Sequence, residues 1–239
     1  MNTATFETHI TQVIRRTRDV LSFRAAAAEG MNYRAGQFMG VTVRSGGQEL
    51  SKYLSFSSAP TEKGYVEFTK KISGSDFSKA LEGLKPGDKI TLKMPLGSFL
   101  LEETAPKHIF LSGGIGITPI RSMWKDAFDR RLTLDAVLLY GNRTPEDIAF
   151  RDDLEAIARG ANNFRVVFSL DTAEACPSSW KGRCGFIDAG MIREEVPDLL
   201  ERVAYVCGPP AMVKHLVCLL REQLQVPEDR IRRENFAGY

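Results

Sequence analysis

The sequence predicts a β + α/β chain: an antiparallel β-barrel over residues 1–104, then a parallel-sheet α/β domain over 105–239. Three observations predict it. Up to about residue 102, short segments of alternating polarity are separated by turn residues, the pattern of an antiparallel barrel. From about residue 105, apolar strands alternate with amphipathic helices, which implies a parallel sheet covered on both faces. Between the two patterns lies a polar stretch with a proline, EETAP over 102–106.

Taken in order, ATFETHITQVI alternates as a half-buried strand should. RDVLSFRAAA and GQFMGVTVRS follow, with Gly46 and Gly47 as a turn. GYVEFTKKI alternates again, and 76–84 reads as the one helix of this half. LKPGDKITLKMPLGSF then gives a turn, a strand and a Pro-x-Gly turn. In the second half HIFLS precedes PIRSMWKDAFDR, AVLLYG precedes PEDIAFRDDLEAIAR, and FRVVFSL and AGMIREEV follow. VAYVCG precedes PAMVKHLVCLLREQL. Glu194, Glu195, Arg230, Arg232 and Arg233 read as solvated surface.

Composition excludes several classes. At 239 residues, 43% hydrophobic and 26% charged, the chain has the make-up of a globular protein of one large or two ordinary domains. A net charge of +2 is too small for a nucleic-acid binder. No apolar run approaches the ~18–20 residues of a membrane helix, and the N-terminus lacks a signal pattern; no membrane insertion and a cytoplasmic location are expected. The four cysteines, Cys176, Cys184, Cys207 and Cys218, show no CxxC and no cluster spacing. HExxH and GxSxG are absent. No metal is expected.

The most informative stretch is KHIFLSGGIGITPIR, 107–121. An apolar strand runs into Gly113, Gly114 and Gly116, which let the backbone turn tightly and approach a ligand. Thr118 follows, and Pro119 fits the first position of a helix. Such a turn presents unpaired N–H groups and a positive dipole end, both favouring a phosphate. No GK[ST] follows, which argues against a P-loop. Three further stretches carry chemistry. KYLSFSSAP, 52–60, places Lys52 and Leu54 on one strand face and Tyr53 on the other. FTKKISGSDFS, 68–78, offers Thr69 and Lys70, a turn at Gly74, and a helix start at Ser75, Asp76, Phe77 and Ser78, a second anion site. YVCGPPAM and LLYGNR put Cys207, Gly208, Pro209 and Met212, and Asn142 and Arg143, at carboxyl ends of strands, where α/β sheets bind ligands.

These motifs, in this order and over the whole chain, resemble the ferredoxin–NADP reductase superfamily. Its nucleotide loop is similar to Gly-x-Gly-x-Thr-Pro, and its C-G-P-P-x-M motif is matched without a change. Its flavin segment, R-x-Y-S-x-x-S-x-P, is matched with Lys52 for Arg and Leu54 for Tyr. Lys52 then meets a phosphate as a point charge. Leu54 keeps apolar contact with the flavin ring but loses the stacking worth about 0.5–1.5 kcal/mol. Ser55 lies near flavin N5. The resemblance also puts Phe236 against the flavin with Glu234 beside it, and Tyr239 within reach.

What the resemblance implies is an FAD-dependent NAD(P)H reductase. Hydride passes from NADH to flavin N5, then electrons pass to a separate ferredoxin-, flavodoxin- or oxygenase-like acceptor. Ser55, Cys207 and Glu234 would sit near the transfer point, none as an obligatory acid or base. No attached iron–sulfur or haem domain is visible after the nucleotide half. One alternative is an electron-transfer subunit of a larger redox complex. Another is a non-enzymatic flavin-binding regulatory module. NADH is expected over NADPH, because Asp171 and Glu174 follow the strand over 164–169 and would repel a 2′-phosphate. Lys181, Arg183 and Arg143 are the opposing cations.

Overall fold

The computed structural model describes residues 2–236, without the side chain of Ala175. The described residues fall into two compact units, 2–101 with 121–130, and 102–120 with 131–236.

The first unit contains β1 (Ala4–Arg15), β2 (Val20–Ala26), β3 (Phe38–Ser45), β4 (Gln48–Ser55), β5 (Tyr65–Lys71), α1 (Asp76–Glu82) and β6 (Lys89–Leu96). The ladder runs β4-β3-β6-β1-β2-β5, antiparallel throughout. A bridge between Phe56, just past β4, and Phe68 on β5 joins the outer strands and closes the barrel. Alternation drives this packing. Along β3, Met39, Val41 and Val43 are buried, while Gly40 and Thr42 between them are half-buried. Gly46 and Gly47 turn β3 into β4 with φ of 58° and 79°, the region that a two-residue hairpin requires. The core gathers Ile10, Phe23, Val41, Phe56, Phe68 and Leu92, and α1 adds Phe77 and Leu81.

The remaining elements are β7 (Lys107–Gly113), α2 (Ile117–Asp129), β8 (Asp135–Asn142), α3 (Arg151–Gly160), β9 (Phe164–Leu170), β10 (Arg183–Cys184), α4 (Ala189–Glu195), β11 (Val203–Gly208), α5 (Pro210–Cys218) and β12 (Ile231–Asn235). The strands form a parallel sheet in the order β10-β9-β8-β7-β11-β12. Ile109, Leu111, Leu139 and Val206 of the strands pack with Met191 and Ile192 of α4 and with Val213 and Leu216 of α5. Among the described residues no helix is long and apolar enough to cross a membrane.

The structure corrects the sequence reading in several places. Pro119 is the third residue of α2, not the first; N–H groups throughout a first helical turn lack intrahelical acceptors, so proline is tolerated there. The helix read from Pro145 starts at Arg151, after a 3-10 turn over Pro145–Asp147 and a left-handed Phe150 with φ 59°. Alternation does not find β10 or β12: the first has two residues, and the second, IRREN, is a charged edge strand. Of the charged groups read as solvated surface, Glu194, Arg230 and Arg233 are exposed as expected, whereas Glu195 and Arg232 are half-buried in ion pairs. Glu195 accepts from Arg165 at 2.7 Å, Arg232 donates to Glu102 at 2.6 Å, and Arg183 pairs with Glu194. Cys176 and Cys184 form a disulfide, which their spacing alone does not show.

Candidate functional sites in the barrel and the parallel sheet

In the barrel, the ladder pairs Lys52 with Val41 and Leu54 with Met39, so Lys52 and Leu54 share the inward face. Lys52 is exposed. Leu54 is a core residue, 3% exposed, with no face open to a ring. The open aromatic is Tyr53, 67% exposed on the other face, edge-on to Phe38. Ser55 is buried at the strand end.

Lys70 is 3% exposed and donates to the Lys71 carbonyl at 2.8 Å. Burial, reinforced by the like charge of Lys52, pushes its ammonium down from 10.5 to about 8. A like charge nearby disfavours an ammonium that burial has already destabilised. A pyrophosphate between the two lysines would reverse that, so the residues fit the phosphates of FAD. The helix start adds to the fit. Ser75 caps α1 by accepting from the Ser78 amide at 3.3 Å. The hydroxyls of Ser73 and Ser75 each lie 3.1 Å from that of Ser78. First-turn amides of Asp76 and Phe77 have no intrahelical acceptor. The Phe77 ring itself belongs to the core, and nothing crowds Gly74.

A polar network that sequence reading missed holds the 55–60 segment. Glu67 is buried on β5 and accepts from Arg16 at 3.1 Å, Arg24 at 3.0 Å and the Ser57 hydroxyl at 2.9 Å. Thr69 bonds the hydroxyls of Ser22 and Ser57, so its side chain is committed to this network. Tyr33 bonds Ser58 at 2.8 Å. Burial works to raise the Glu62 carboxyl. Arg121, the Ala59 amide and the Tyr65 hydroxyl outweigh burial and hold it below its usual range. Arg121 also donates to the Ser57 carbonyl at 3.0 Å. The sequence signal for these groups is an acidic residue, Glu67, set between the apolar Val66 and Phe68.

In the parallel-sheet unit, the glycine loop follows β7. A Cβ on Gly116 would lie 2.4 Å from the Cys207 carbonyl oxygen and 2.5 Å from Gly208 Cα, so only glycine fits. A Cβ on Gly113 would lie 2.2 Å from Met212 Sδ. Gly114 has φ 50° with open space beside it, and its carbonyl accepts from Tyr140 at 2.8 Å. Thr118 is buried and donates to the Ile115 carbonyl at 3.2 Å.

Asn142 is buried at the end of β8 with the Tyr140 hydroxyl as its polar neighbour, and no well-formed hydrogen bond engages its amide nitrogen or oxygen. Ser112, at the end of β7, has a buried hydroxyl in the same condition. Unpaired buried polar atoms are costly, so these strand ends fit a polar ligand such as a nicotinamide nucleotide. Arg143 is exposed. The Asp171 amide donates to the Asn142 carbonyl at 2.9 Å. Burial raises the Asp171 carboxyl, Arg143 opposes this, and Asp147 adds to it.

Cys207 pairs in register with Ser112 on one side and Glu234 on the other. Burial, with Glu234 adding, pushes its thiol well above the ordinary value, so it stays protonated. Burial also raises the Glu234 carboxyl. Pro209 is exposed and Met212 half-buried at the start of α5. The Phe236 amide donates to the Gly208 carbonyl at 3.2 Å. Tyr239 lies outside the described residues. Cys207 and Glu234 are thus neighbours, while Ser55 belongs to the other unit.

Comparison with known proteins matches an oxidoreductase FAD-binding domain over residues 7–100 and an oxidoreductase NAD-binding domain over 110–217. The glycine betaine monooxygenase reductase subunit of Pseudomonas aeruginosa is 32% identical over 214 residues, covering 86% of this chain and 58% of that protein. This chain thus spans little more than half the length of that relative. Ferredoxin–NADP reductase B of Sorangium cellulosum is 29% identical, with 90% of each chain covered. The solved structure of a ferredoxin reductase in carbazole 1,9a-dioxygenase superposes with a TM-score of 0.83 at 26% identity, covering 99% of this chain and 70% of that one. A flavin-domain match on the barrel and a nucleotide-domain match on the parallel sheet, in this order, establish that the chain belongs to the ferredoxin–NADP reductase superfamily of FAD- and NAD(P)-binding oxidoreductases.

Proposed function

We propose that this protein is an FAD-dependent NADH reductase that delivers electrons to a separate redox protein of ferredoxin, flavodoxin or oxygenase-component type. The observation that supports this reading is that one chain offers two separate places suited to a phosphate: Lys52 and Lys70 in the barrel, and the glycine loop of the sheet near the buried Asn142. The proposed division assigns FAD to residues 1–104 and the nicotinamide nucleotide to 105–239. Reductase names among the relatives support the type of acceptor.

The residues have separable tasks. Lys52, Lys70 and the first-turn amides of α1 hold the FAD phosphates, with the Ser78 hydroxyl beside them. Ser55 and the Glu67-anchored 55–60 segment orient the ring. Gly113, Gly114, Gly116 and the first turn of α2 hold the nucleotide phosphates. Asn142 and Arg143 bind along its length. Cys207 keeps its proton on Sγ, and Glu234 stands beside it in register on the neighbouring strand. Bound FAD supplies the redox chemistry, accepting a hydride equivalent and releasing electrons singly. Positioning is the protein's contribution.

The test is anaerobic stopped-flow mixing of the flavin-loaded protein with NADH, followed by a panel of purified acceptors. Rapid flavin bleaching and reoxidation by an iron–sulfur or flavin carrier are expected. Flavin that NADH and NADPH both fail to reduce would favour a non-enzymatic flavin-binding module. Co-purification in a stable complex would favour an electron-transfer subunit.

A further inference from the structure

We propose that Glu194 and Glu195 are specificity-determining residues: they hold Arg183 and so deny a 2′-phosphate the cation it would need. This rests on the reading above that a nicotinamide nucleotide lies past the carboxyl ends of the strands, with its adenosine ribose at β9.

Arg183 is rooted at that place. β10 pairs it with Ser169 at the end of β9. The Gly185 amide donates to the Leu170 carbonyl at 2.7 Å, and the Ser169 hydroxyl to the Gly185 carbonyl at 2.5 Å. A Cβ on Gly182 would lie 2.4 Å from the Phe168 carbonyl oxygen, so the backbone before Arg183 is pressed onto β9. The adjacent Cys184 is tied to Cys176. The backbone is pinned, and only the direction of the guanidinium remains to be chosen.

That direction is set by α4. Arg183 donates to Glu194 and lies 3.4 Å from Glu195. Glu195 is in turn held by Arg165 at 2.7 Å. Both glutamates occupy the last turn of α4, where the helix dipole disfavours carboxylates. Helix stability therefore gives no reason for two acids there; Arg183 accounts for Glu194, and Glu195 is shared between Arg165 and the more distant Arg183. Asp188 adds a third negative charge to the surroundings of Arg183. On the ribose side stand Asp171 and Glu174, with Asp147 close to Asp171. The other cations are Arg143, which faces Asp171, Arg151, which lies over the Phe168 and Trp180 rings, and the exposed Lys181. Discrimination thus has two parts: repulsion by Asp171 and Glu174, and withdrawal of Arg183.

The test uses the flavin-loaded full chain. Dissociation constants for NAD+ and NADP+ are measured by titration calorimetry, beside the ratio of flavin-reduction efficiencies with NADPH and NADH. Freeing Arg183 with Glu194→Gln plus Glu195→Gln should tighten NADP+ roughly three- to tenfold, the range that two exposed ion pairs allow. NAD+ should be unchanged, and adding Arg183→Ala should abolish the gain. Glu194→Gln alone, on an exposed side chain, keeps the test available if the double variant is unstable. A gain that survives Arg183→Ala would overturn the proposal, since repulsion or Lys181 would then be responsible. Asp171→Arg is the control. If it tightens NADP+ and the glutamate variants do not, the proposal fails and the ribose placement stands. If none of them shifts NADP+, the ribose placement fails as well.

Discussion

Raising the pH should weaken FAD binding, with a slope set by Lys70. Its ammonium is buried next to Lys52, and its pKa falls from 10.5 to about 8. That drop corresponds to roughly 3 kcal/mol against the charged form. Bound FAD places a pyrophosphate beside both lysines, so the complex holds Lys70 protonated. Above pH 8 the free protein has lost that proton, and binding must recover it. The dissociation constant should therefore be flat below about pH 7.5 and about tenfold weaker at pH 9 than at pH 7. Calorimetry in buffers of different ionisation enthalpy should show uptake of close to one proton at pH 9. Lys70→Met should weaken binding at pH 7 and remove the slope. The FAD-free protein tests the same physics from the other side. A lysine depressed on folding destabilises the fold fully below pH 8, and the penalty fades as pH rises toward 10.5. Thermal stability of the FAD-free parent should thus increase between those values, and Lys70→Met should be more stable than the parent at pH 7. A dissociation constant constant to pH 9, or an equal slope in Lys70→Met, would refute the placement of the phosphates at Lys70.

Gly116→Ala should abolish nicotinamide-nucleotide binding measured by calorimetry while leaving FAD bound, because its Cβ meets the backbone of Cys207 and Gly208 rather than a side chain that can yield. The cost to stability should be about 1–3 kcal/mol. Glu62, depressed on folding by Arg121, contributes stability that is complete above the ordinary value of 4.5 and is lost as pH falls below it. Glu62→Gln should accordingly lower the melting temperature at pH 7 and flatten its decline between about pH 5 and 3, and a parallel shift at every pH would contradict this.

The sequence by itself determined the architecture, because both patterns involved are local. Alternation along β3 and apolar runs such as Ile109–Leu111 report burial directly. The Gly113–Gly116 turn and Gly208 were legible because backbone demands of that kind leave few residue choices. Groups that act across long sequence separations left no such trace. Glu67 finds Arg16 and Arg24, and Arg121 finds Glu62, only when distant strands and helices pack. The short, charged β10 and β12 exist because β9 and β11 offer them open ladders. The pairing of Cys176 with Cys184 follows from that docking of β10. Side-chain parity put Lys52 and Leu54 on one face, which the register of β4 against β3 reproduces. Exposure was a separate matter. Whether a residue on the inner face of a barrel is open or closed depends on what the other strands bring to it. Here they bury Leu54 in the core, depress Lys70 beside Lys52, and leave Lys52 open.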